Sequence, residues 1–255
     1  MRRFFIENSS IEGCIATLTG GDAKHMACVL RLSPGDRTIL FDAAGLEYEA
    51  KVLTISPVAA RLSIEKKRPA KSESRARITI AQGFLKDKKM DPLIRHYTEL
   101  GIARWYPLMA QRSVPNPDSG RLAKRMARWE KISREALKQC GRGIAMEIEA
   151  PRSFDKMTDD SPSYDLKLFF WERASVPLNR NLLPAAHGGR ILVALGPEGG
   201  FSQQEALLAK ASGFVACSLG PRILRAETAS IASATLVQYL FGDMGGDFCK
   251  QQNNP

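Results

Sequence analysis

The sequence RILVALGPEGGFS at residues 190–202 decides the fold of the C-terminal part of the chain. Five consecutive apolar residues, 191–195, predict a strand that is covered on both faces, as in a parallel sheet with helices above and below it. A helix follows at once, because Ser202 and Glu205 have the spacing of a capping box. The glycine-rich loop at 196–201 therefore lies at the carboxyl end of a strand, where open α/β sheets bind ligands.

A second loop of similar composition follows about 25 residues after the first. Residues 214–219 form another short apolar run, and the sequence GPRILRAET at 220–228 comes next. Because one strand and one helix separate the two loops, we expect them to be neighbours in space. The glycine spacing of the first loop is neither GxGxxG nor GxxxxGKS/T, and Glu198 would repel a phosphate. The pattern thus supports neither a Rossmann dinucleotide-binding loop nor a Walker phosphate-binding loop.

The composition favours a polyanionic partner. The chain has 255 residues, a formal net charge of +10 and an isoelectric point near 9.5. The sequence contains no long apolar span, signal peptide or lipidation motif, so RNA or DNA is a better candidate than a membrane. We therefore expect a cytoplasmic protein that binds nucleic acid.

Cysteine and histidine residues show no ligand pattern. The five cysteines are scattered and form no CxxC pair, which argues against a disulfide framework and against a zinc site. The three histidines, His25, His96 and His187, are far apart in the sequence. We expect no metal site.

A charged segment, EKKRPAKSESRA at residues 65–76, marks the expected boundary between two domains. Before it, the β-rich runs at 37–41, 47–55 and 58–64 predict a small β-barrel with few helices. A dimer-stabilising or purely structural barrel fits this pattern as well as an RNA-binding one.

After the charged segment, strands alternate with helices. Residues 78–83 and 105–108 read as strands, and Asp91, Pro92 and Gly101 predict the N-cap, first residue and stop of the helix between them. This alternation predicts an α/β domain with a largely parallel sheet. The expected division is a barrel at 1–70, an α/β domain at 76–244 and a disordered polar tail at 245–255.

The predicted helix at about residues 121–139 has two very different faces. Its apolar residues recur at helical spacing and predict a core contact. A solvated face is the ordinary explanation for basic residues on the other side, but so one-sided a charge in a basic protein favours a nucleic-acid surface. The basic residues are Arg121, Lys124, Arg125, Arg128, Lys131 and Lys138.

These motifs resemble those of the bacterial small-subunit ribosomal RNA uridine N3 methyltransferase family, a branch of the SPOUT methyltransferases. The resemblance extends over nearly the whole chain. It is carried by LGPEGGFS at 195–202, SLGPRILRAET at 218–228, HMACVLRLSPGD at 25–36, FLKDKKMD at 84–91, TELGIARWYPL at 98–108 and EALKQCGR at 135–142. One departure is Ala226, where the family pattern has a threonine.

The resemblance implies a C-terminal α/β domain with a deep trefoil knot and a PUA-like N-terminal barrel that binds RNA. It implies that the knot loops bind S-adenosylmethionine and that the substrate is 16S rRNA, within the 30S subunit. It also implies a homodimer. A stripe of small residues on the predicted helix at 228–240 is compatible with a dimer, although a monomer predicts the same residues.

Two sets of binding residues follow from the resemblance and from residue chemistry. The expected cofactor contacts are Leu195, Gly196, Pro197, Gly199, Gly200, Leu219, Gly220, Ile223, Leu224 and Thr228. The expected contacts to RNA phosphates or to the target base are Arg2, Arg3, Lys24, His25, Arg31, Lys86, Lys88, Lys89, Arg128 and Arg142. For the lone His25 a purely structural role is the alternative.

Methylation at N3 of uridine requires loss of the N3 proton and stabilisation of the resulting anion. Arg225 is the candidate for binding the charge that develops on the uracil oxygens. Glu198 or Glu227 could accept the proton if burial raised its pKa; otherwise solvent hydroxide would do so. In the alternative interpretation, Arg225 and Glu227 form a salt bridge that only holds the loop.

Two other functions are compatible with the sequence. One is a related knotted enzyme that methylates the ribose 2′ oxygen of transfer or large-subunit RNA. The other is a non-enzymatic assembly factor that binds RNA. For methylation at N3, the target uridine must be single-stranded or flipped, because N3 lies on the pairing edge of the base.

Overall fold

The computed structural model describes residues 2–42, 44–70, 73–74, 76–114, 118–182 and 189–245. His187 and residues 246–255 of the predicted tail lie outside these ranges. The chain divides into two compact units, which are described separately. The first comprises Met1–Glu73 and Leu137–Ala145, and the second comprises Ser74–Ala136 and Met146–Pro255.

The first unit is built on a six-stranded sheet whose order is β1-β4-β5-β6-β3-β2. Among its described residues, β1 and β4 pair in parallel and the other strand pairs are antiparallel. A short helix and a π-helical turn follow β3 and contribute Ala23 and Met26 to the core. The elements are β1 (Arg3–Phe5), β2 (Ile11–Glu12), β3 (Ile15–Thr19), α1 (Gly20–Lys24), β4 (Arg37–Phe41), β5 (Leu46–Ile55) and β6 (Ala59–Pro69).

Strand β6 runs five residues into the predicted linker, so the interpretation of residues 65–69 as linker is wrong. The charges in this segment are opposed by acidic residues on β5. Arg68 forms ion pairs with Glu47 and Glu49, both at 3.1 Å. These cross-strand pairs hold the charged end of β6 in the sheet.

The second unit contains a parallel sheet of eight strands, in the order β10-β8-β7-β13-β11-β14-β12 with β9 beside β8. Each of the recorded pairings is parallel, which confirms the predicted α/β class. The strands are β7 (Arg77–Gly83), β8 (Arg104–Met109), β9 (Glu147–Ile148), β10 (Arg152–Ser153), β11 (Leu166–Phe170), β12 (Val176–Pro177), β13 (Arg190–Leu195) and β14 (Val215–Ser218).

Helices cover both faces of this sheet. On β13, Ile191, Val193 and Leu195 join one apolar cluster, and Leu192 and Ala194 join another. The first cluster includes residues of α2, α3 and α6, and the second includes residues of α4 and α5. The prediction of a strand covered on both faces is thus confirmed. The helices are α2 (Met90–Glu99), α3 (Ser119–Cys140), α4 (Phe154–Asp160), α5 (Gln203–Ala211) and α6 (Ala226–Phe241).

The predicted helix caps are correct in one case and wrong in another. Ser202 and Glu205 form the predicted capping box at the start of α5. By contrast, α2 begins at Met90, and Asp91 is not its N-cap. The Asp91 carboxylate instead accepts hydrogen bonds from Trp129 Nε1 at 3.0 Å and from Arg128 Nε at 2.8 Å. The carboxylate therefore binds side chains of α3 and does not cap α2.

The two glycine-containing loops end strands that are not adjacent. Strand β11 lies between β13 and β14, and Phe170 on β11 pairs with both Leu195 and Cys217. The connection through α5 passes over one strand, so the two loops do not follow adjacent strands. Two strand spacings amount to about 10 Å, so both loops still lie at one edge of the sheet.

Candidate functional site at the carboxyl edge of the parallel sheet

The end of β7 approaches the first loop very closely. A Cβ atom at Gly83 would lie 2.3 Å from the backbone nitrogen of Pro197 and 2.6 Å from the carbonyl carbon of Gly196. Real Cβ atoms do not come so near to backbone atoms, so only glycine allows this packing. The close approach places the loop directly beside β7.

A buried glutamine holds the same loop. Gln82 Nε2 donates to the carbonyl oxygens of Gly83 at 3.2 Å and of Gly196 at 3.3 Å. Its Oε1 accepts from the hydroxyls of Tyr97 at 2.7 Å and of Ser230 at 2.6 Å. Burial raises the pKa of Tyr97 well above its usual value, although the contact with Ser230 opposes the shift, and the phenol remains a donor. The amide thereby joins β7, α2, α6 and the first loop.

The sequence pattern did not identify this network. Gln82, Tyr97 and Ser230 are far apart in the chain, and each is buried. The one local signal is a polar residue, Gln82, directly after the apolar residues Ile80 and Ala81 at the end of a buried strand. A polar side chain in that position needs partners, because an unpaired buried amide is unfavourable.

Lys89 connects the two loops through carboxylates. Its Nζ lies 3.2 Å from Glu198 Oε1 in the first loop and 3.1 Å from Glu227 Oε1 in the first turn of α6. Glu198 Oε1 also accepts a hydrogen bond of 3.0 Å from the backbone amide of Lys86. We call Lys89, Glu198 and Glu227 the carboxylate clasp.

The clasp changes the expected acid–base chemistry. Desolvation tends to raise the pKa of Glu198, but the backbone amides of Glu198 and Lys86 and the ammonium of Lys89 outweigh it and hold this pKa below its usual value. Hydrogen bonds to Glu227 and then to Glu198 raise the pKa of Lys89. Glu198 therefore lacks the raised pKa that the sequence analysis required of a proton acceptor.

Arg225 is the residue immediately before α6, and its side chain is exposed. Within the described ranges it makes no ion pair, whereas Glu227 pairs with Lys89. The alternative of an Arg225–Glu227 salt bridge is thus wrong. The Arg225 guanidinium is available to a ligand at the carboxyl edge.

The second loop presents apolar side chains and an open backbone position. Leu219 and Leu224 are half-buried, and Ile223 is 87% exposed. Gly220 has a φ of +102°, and no atom lies within 4 Å of where its Cβ would be. Thr228 is exposed in the first turn of α6. Such an exposed apolar surface suits a flat hydrophobic ligand.

Comparison with known proteins identifies the family. A model of an RNA methyltransferase domain matches residues 49–238, and a model of an RNA methyltransferase PUA domain matches residues 18–65. Ribosomal RNA small subunit methyltransferase E of Synechocystis sp. is 30% identical, over 93% of this chain and 77% of the relative. That of Bacillus subtilis is 28% identical, over 97% of this chain and all of the relative.

The chain belongs to the ribosomal RNA small subunit methyltransferase E family. The resemblance found in the sequence is thereby confirmed. A solved structure of this family, from Neisseria gonorrhoeae and bound to S-adenosyl methionine, has a TM-score of 0.80 and 30% identity, and covers 95% of this chain and 99% of its own. A putative methyltransferase from Legionella pneumophila, solved with the same cofactor, has a TM-score of 0.80 and 29% identity over 94% of this chain and 98% of its own.

In this member of the methyltransferase family, two further residues contact the first loop, and neither was predicted from the sequence. Arg112, after β8, donates from Nη1 to the carbonyl oxygen of Gly199 at 3.1 Å. Glu172, after β11, lies against Gly200, where a Cβ atom would be 3.3 Å from Oε2. Neither residue has a local sequence signal, because each reaches the loop from another strand end.

The predicted basic face of α3 is partly neutralised in the structure. Arg128 pairs with Asp91, and Lys138 pairs with Asp22 at 3.2 Å. Arg125 lies over the ring of Phe84 and donates to the backbone oxygen of Asp87. The remaining residues of the face, Arg121, Lys124 and Lys131, are exposed, and Arg121 forms a surface ion pair with Asp118 at 3.2 Å.

Arg142 is a buried residue of the first unit. It is only 4% exposed, and its Nη2 lies 2.8 Å from Glu73 Oε2. Glu73 Oε1 also accepts hydrogen bonds from the amides of Gly143 and Ile144. In this arrangement the Arg142 side chain is part of the interior of the first unit, and its guanidinium is not accessible to a nucleobase.

The other candidate RNA contacts in the first unit differ in accessibility. Arg3 pairs with Glu47 at 2.6 Å and lies over the Phe41 ring. By contrast, four candidates expose their side chains. These are Arg2, Lys24, His25 and Arg31. In the second unit Lys86 and Lys88 are exposed as well.

The described ranges contain no helix that is long and apolar enough to span a membrane. They also contain no cluster of three or more His, Cys, Asp or Glu side chains that could hold a metal ion.

Proposed function

We propose that this protein transfers a methyl group from S-adenosylmethionine to N3 of a specific uridine in 16S rRNA. The observation that carries the proposal is the arrangement of charges at the carboxyl edge. Arg225 exposes its guanidinium there and has no ion-pair partner among the described residues, while Glu198 and Glu227 are both bound by Lys89. The small-subunit substrate is supported by the names of the relatives, and the cofactor by the Neisseria gonorrhoeae structure.

The residues at this edge fit S-adenosylmethionine. Two buried polar atoms, Trp171 Nε1 and Glu227 Oε2, have no hydrogen-bond partner in the part of the chain that the structure describes. One is a donor and the other an acceptor, which suits a ligand that has both hydroxyl and amino groups. Ile223 and Leu224 offer apolar contact for an adenine ring. The remaining proposed contacts are Leu195, Gly196, Pro197, Gly199, Gly200, Leu219, Gly220 and Thr228.

When bound, S-adenosylmethionine supplies an electrophilic methyl group on a sulfonium. Arg225 then has the role of binding the uracil oxygens and stabilising the negative charge that appears when the N3 proton leaves. The lowered pKa of Glu198 makes this carboxylate a weak base, so we assign the proton to solvent hydroxide. The contribution of the chain is alignment of the base and electrostatic stabilisation.

The exposed basic residues have the role of binding RNA phosphates around an unpaired uridine. For the first unit we propose Arg2, Lys24, His25 and Arg31, and for the second unit Lys86, Lys88 and the exposed residues of α3. Arg3, Lys89, Arg128 and Arg142 are held by carboxylates, so their predicted contacts with RNA would require these ion pairs to open.

We further propose a homodimer, a trefoil knot in the second unit and action on the 30S subunit in the cytoplasm. We retain the proposed division into domains at 1–70 and 76–244. Support for the dimer comes from the outer face of α6, where Leu236 and Tyr239 are 40% and 52% exposed and Ala229 and Ala232 are small. Sedimentation equilibrium of the wild type and of Leu236→Glu tests this assembly.

The proposed reaction is tested by incubating 30S subunits from a strain that lacks the gene with labelled S-adenosylmethionine. Nuclease digestion and mass spectrometry of the product then identify the methylated atom. We expect methylated base at uridine N3, and a loss of turnover of about 100-fold in Arg225→Ala with an unchanged dissociation constant for the cofactor. Methyl on ribose, or no incorporation despite RNA binding, would overturn the proposal.

A further inference from the structure

We propose that Lys89 is a positioning residue of the cofactor site, which joins the two loops through Glu198 and Glu227 and does not bind RNA phosphate. This role deepens the proposed function and rests on it for the identity of the cofactor. The lysine belongs to a run of three in the β7–α2 connection, Lys86, Lys88 and Lys89, in which the sequence alone gives all three the same role.

The three lysines have different surroundings in the structure. Lys86 and Lys88 are exposed, and neither side chain forms an ion pair within the described ranges. Lys89 is half-buried, and its ammonium lies within 3.2 Å of two carboxylates. An ammonium with two carboxylates around it is a poor phosphate ligand, because an incoming phosphate meets two negative charges beside one positive charge.

The carboxylate clasp connects the two loops of the candidate cofactor site. Glu198 lies in the loop after β13, and Glu227 lies just after the loop that follows β14. Strands β13 and β14 do not pair with each other, because β11 lies between them. Lys89 thus supplies a direct connection between two segments that the sheet holds only through a third strand.

Removal of the ammonium would leave two carboxylates near each other without a cation between them. Their repulsion would displace the first loop from the start of α6 and separate the two halves of the cofactor site. The defect should therefore appear in cofactor binding even when RNA is absent. If Lys89 instead bound RNA phosphate, its removal would weaken binding of RNA and leave binding of the cofactor unchanged.

The test compares Lys89→Met with Lys88→Met, a neighbouring exposed lysine on the same turn. We expect Lys89→Met to raise the dissociation constant for S-adenosylmethionine, measured by calorimetry without RNA, by about three- to tenfold. Its KM for 30S subunits should be unchanged. Lys88→Met should leave the cofactor constant unchanged and raise the KM for 30S subunits.

Two further variants examine the charge itself. Lys89→Arg keeps a cation between the carboxylates and should restore most of the affinity for the cofactor. The double variant Lys89→Met, Glu198→Gln removes the repulsion, leaves the Glu227 carboxylate in place, and should bind the cofactor better than Lys89→Met. It also remains informative if Lys89→Met alone unfolds, since thermal unfolding then reports whether removal of one of the two facing charges restores the fold.

The proposal is overturned if Lys89→Met raises the KM for 30S subunits and leaves the cofactor constant unchanged, or if the double variant Lys89→Met, Glu198→Gln binds the cofactor no better than Lys89→Met. Because the affinity is measured without RNA, the result does not depend on which atom is methylated. Methylation of ribose by the wild type would overturn the proposed reaction and leave the role of Lys89 standing.

Discussion

The hydroxyl of Ser230 on α6 donates a hydrogen bond of 2.6 Å to Gln82 Oε1 on β7, across 148 residues of sequence. With Tyr97 as the second donor and the carbonyl oxygens of Gly83 and Gly196 as acceptors, all four hydrogen-bonding positions of the amide are used. A fully buried amide is stable only when it is satisfied in this way. The network therefore links packing of α6 to the position of the first loop.

Gln82→Met tests this link with little change in volume. The variant leaves the hydroxyls of Tyr97 and Ser230 without their acceptor, and we expect the free energy of unfolding to fall by about 2–4 kcal/mol. Ser230→Ala is the matched control, because Gln82 Oε1 keeps its bond from Tyr97, and we expect a loss of about 1 kcal/mol. Urea denaturation of both variants measures the difference. Equal losses would contradict the idea that Gln82 organises the network.

Gly83→Ala tests the close approach of β7 to the first loop. The added Cβ would meet the backbone of Pro197 and Gly196, which cannot rotate away as a side chain would. We expect a loss of about 3 kcal/mol in unfolding free energy. Gly21→Ala in α1 is the control, since no atom lies within 4 Å of its Cβ position, and a helical Gly→Ala change should be neutral or stabilising. A neutral Gly83→Ala would show that the loop can move.

Local patterns in the sequence were sufficient for the framework of the second unit. Apolar runs identified the parallel strands, and the Ser202–Glu205 spacing identified the start of α5. These features depend on residues within a few positions of one another, so the sequence carries them directly. The family resemblance supplied the cofactor and the class of substrate.

Partners from distant parts of the chain were not predictable from the same patterns. The segment 65–69 reads as a linker until Glu47 and Glu49 are placed opposite it on β5. Lys89 reads as one more basic residue until the fold brings Glu198 and Glu227 to its ammonium. Periodicity records burial and local conformation, but it does not record which distant charge a side chain meets.

Asp91→Ala tests the replacement of the predicted helix cap by a contact between helices. Trp129 is buried, so removal of the carboxylate leaves its Nε1 without an acceptor, and we expect a loss of about 1–3 kcal/mol in unfolding free energy. Asp91→Asn retains an acceptor and should lose less. Glu130→Ala, an exposed residue of α3, is the control and should change stability by less than about 0.5 kcal/mol. Guanidinium denaturation followed by tryptophan fluorescence provides the measurement.

The lowered pKa of Glu198 predicts how its contribution to stability depends on pH. A carboxyl group whose pKa is lower in the folded state stabilises the protein above its ordinary pKa of 4.5, and this stabilisation is lost as the pH falls through the lowered value. The wild type should therefore exceed Glu198→Gln in unfolding free energy by a constant amount from about pH 7 to about pH 5. The difference should shrink below that range. Unfolding curves at several pH values check this, and a difference that grows on acidification would contradict the lowered pKa.

The same ionisation predicts the pH dependence of the reaction. If Glu198 were the proton acceptor, Glu198→Gln would abolish turnover or change the shape of the pH–rate profile. Because the lowered pKa makes it a weak base, we expect kcat of both the wild type and the variant to rise with pH between about pH 6 and about pH 9, as for proton loss to solvent hydroxide. Arg225→Lys should lower kcat across the whole range, since one ammonium replaces the planar fork of donors. Parallel profiles for the wild type and Glu198→Gln, offset by less than about tenfold, would exclude Glu198 as the base, and an unchanged kcat in Arg225→Lys would contradict charge stabilisation by Arg225.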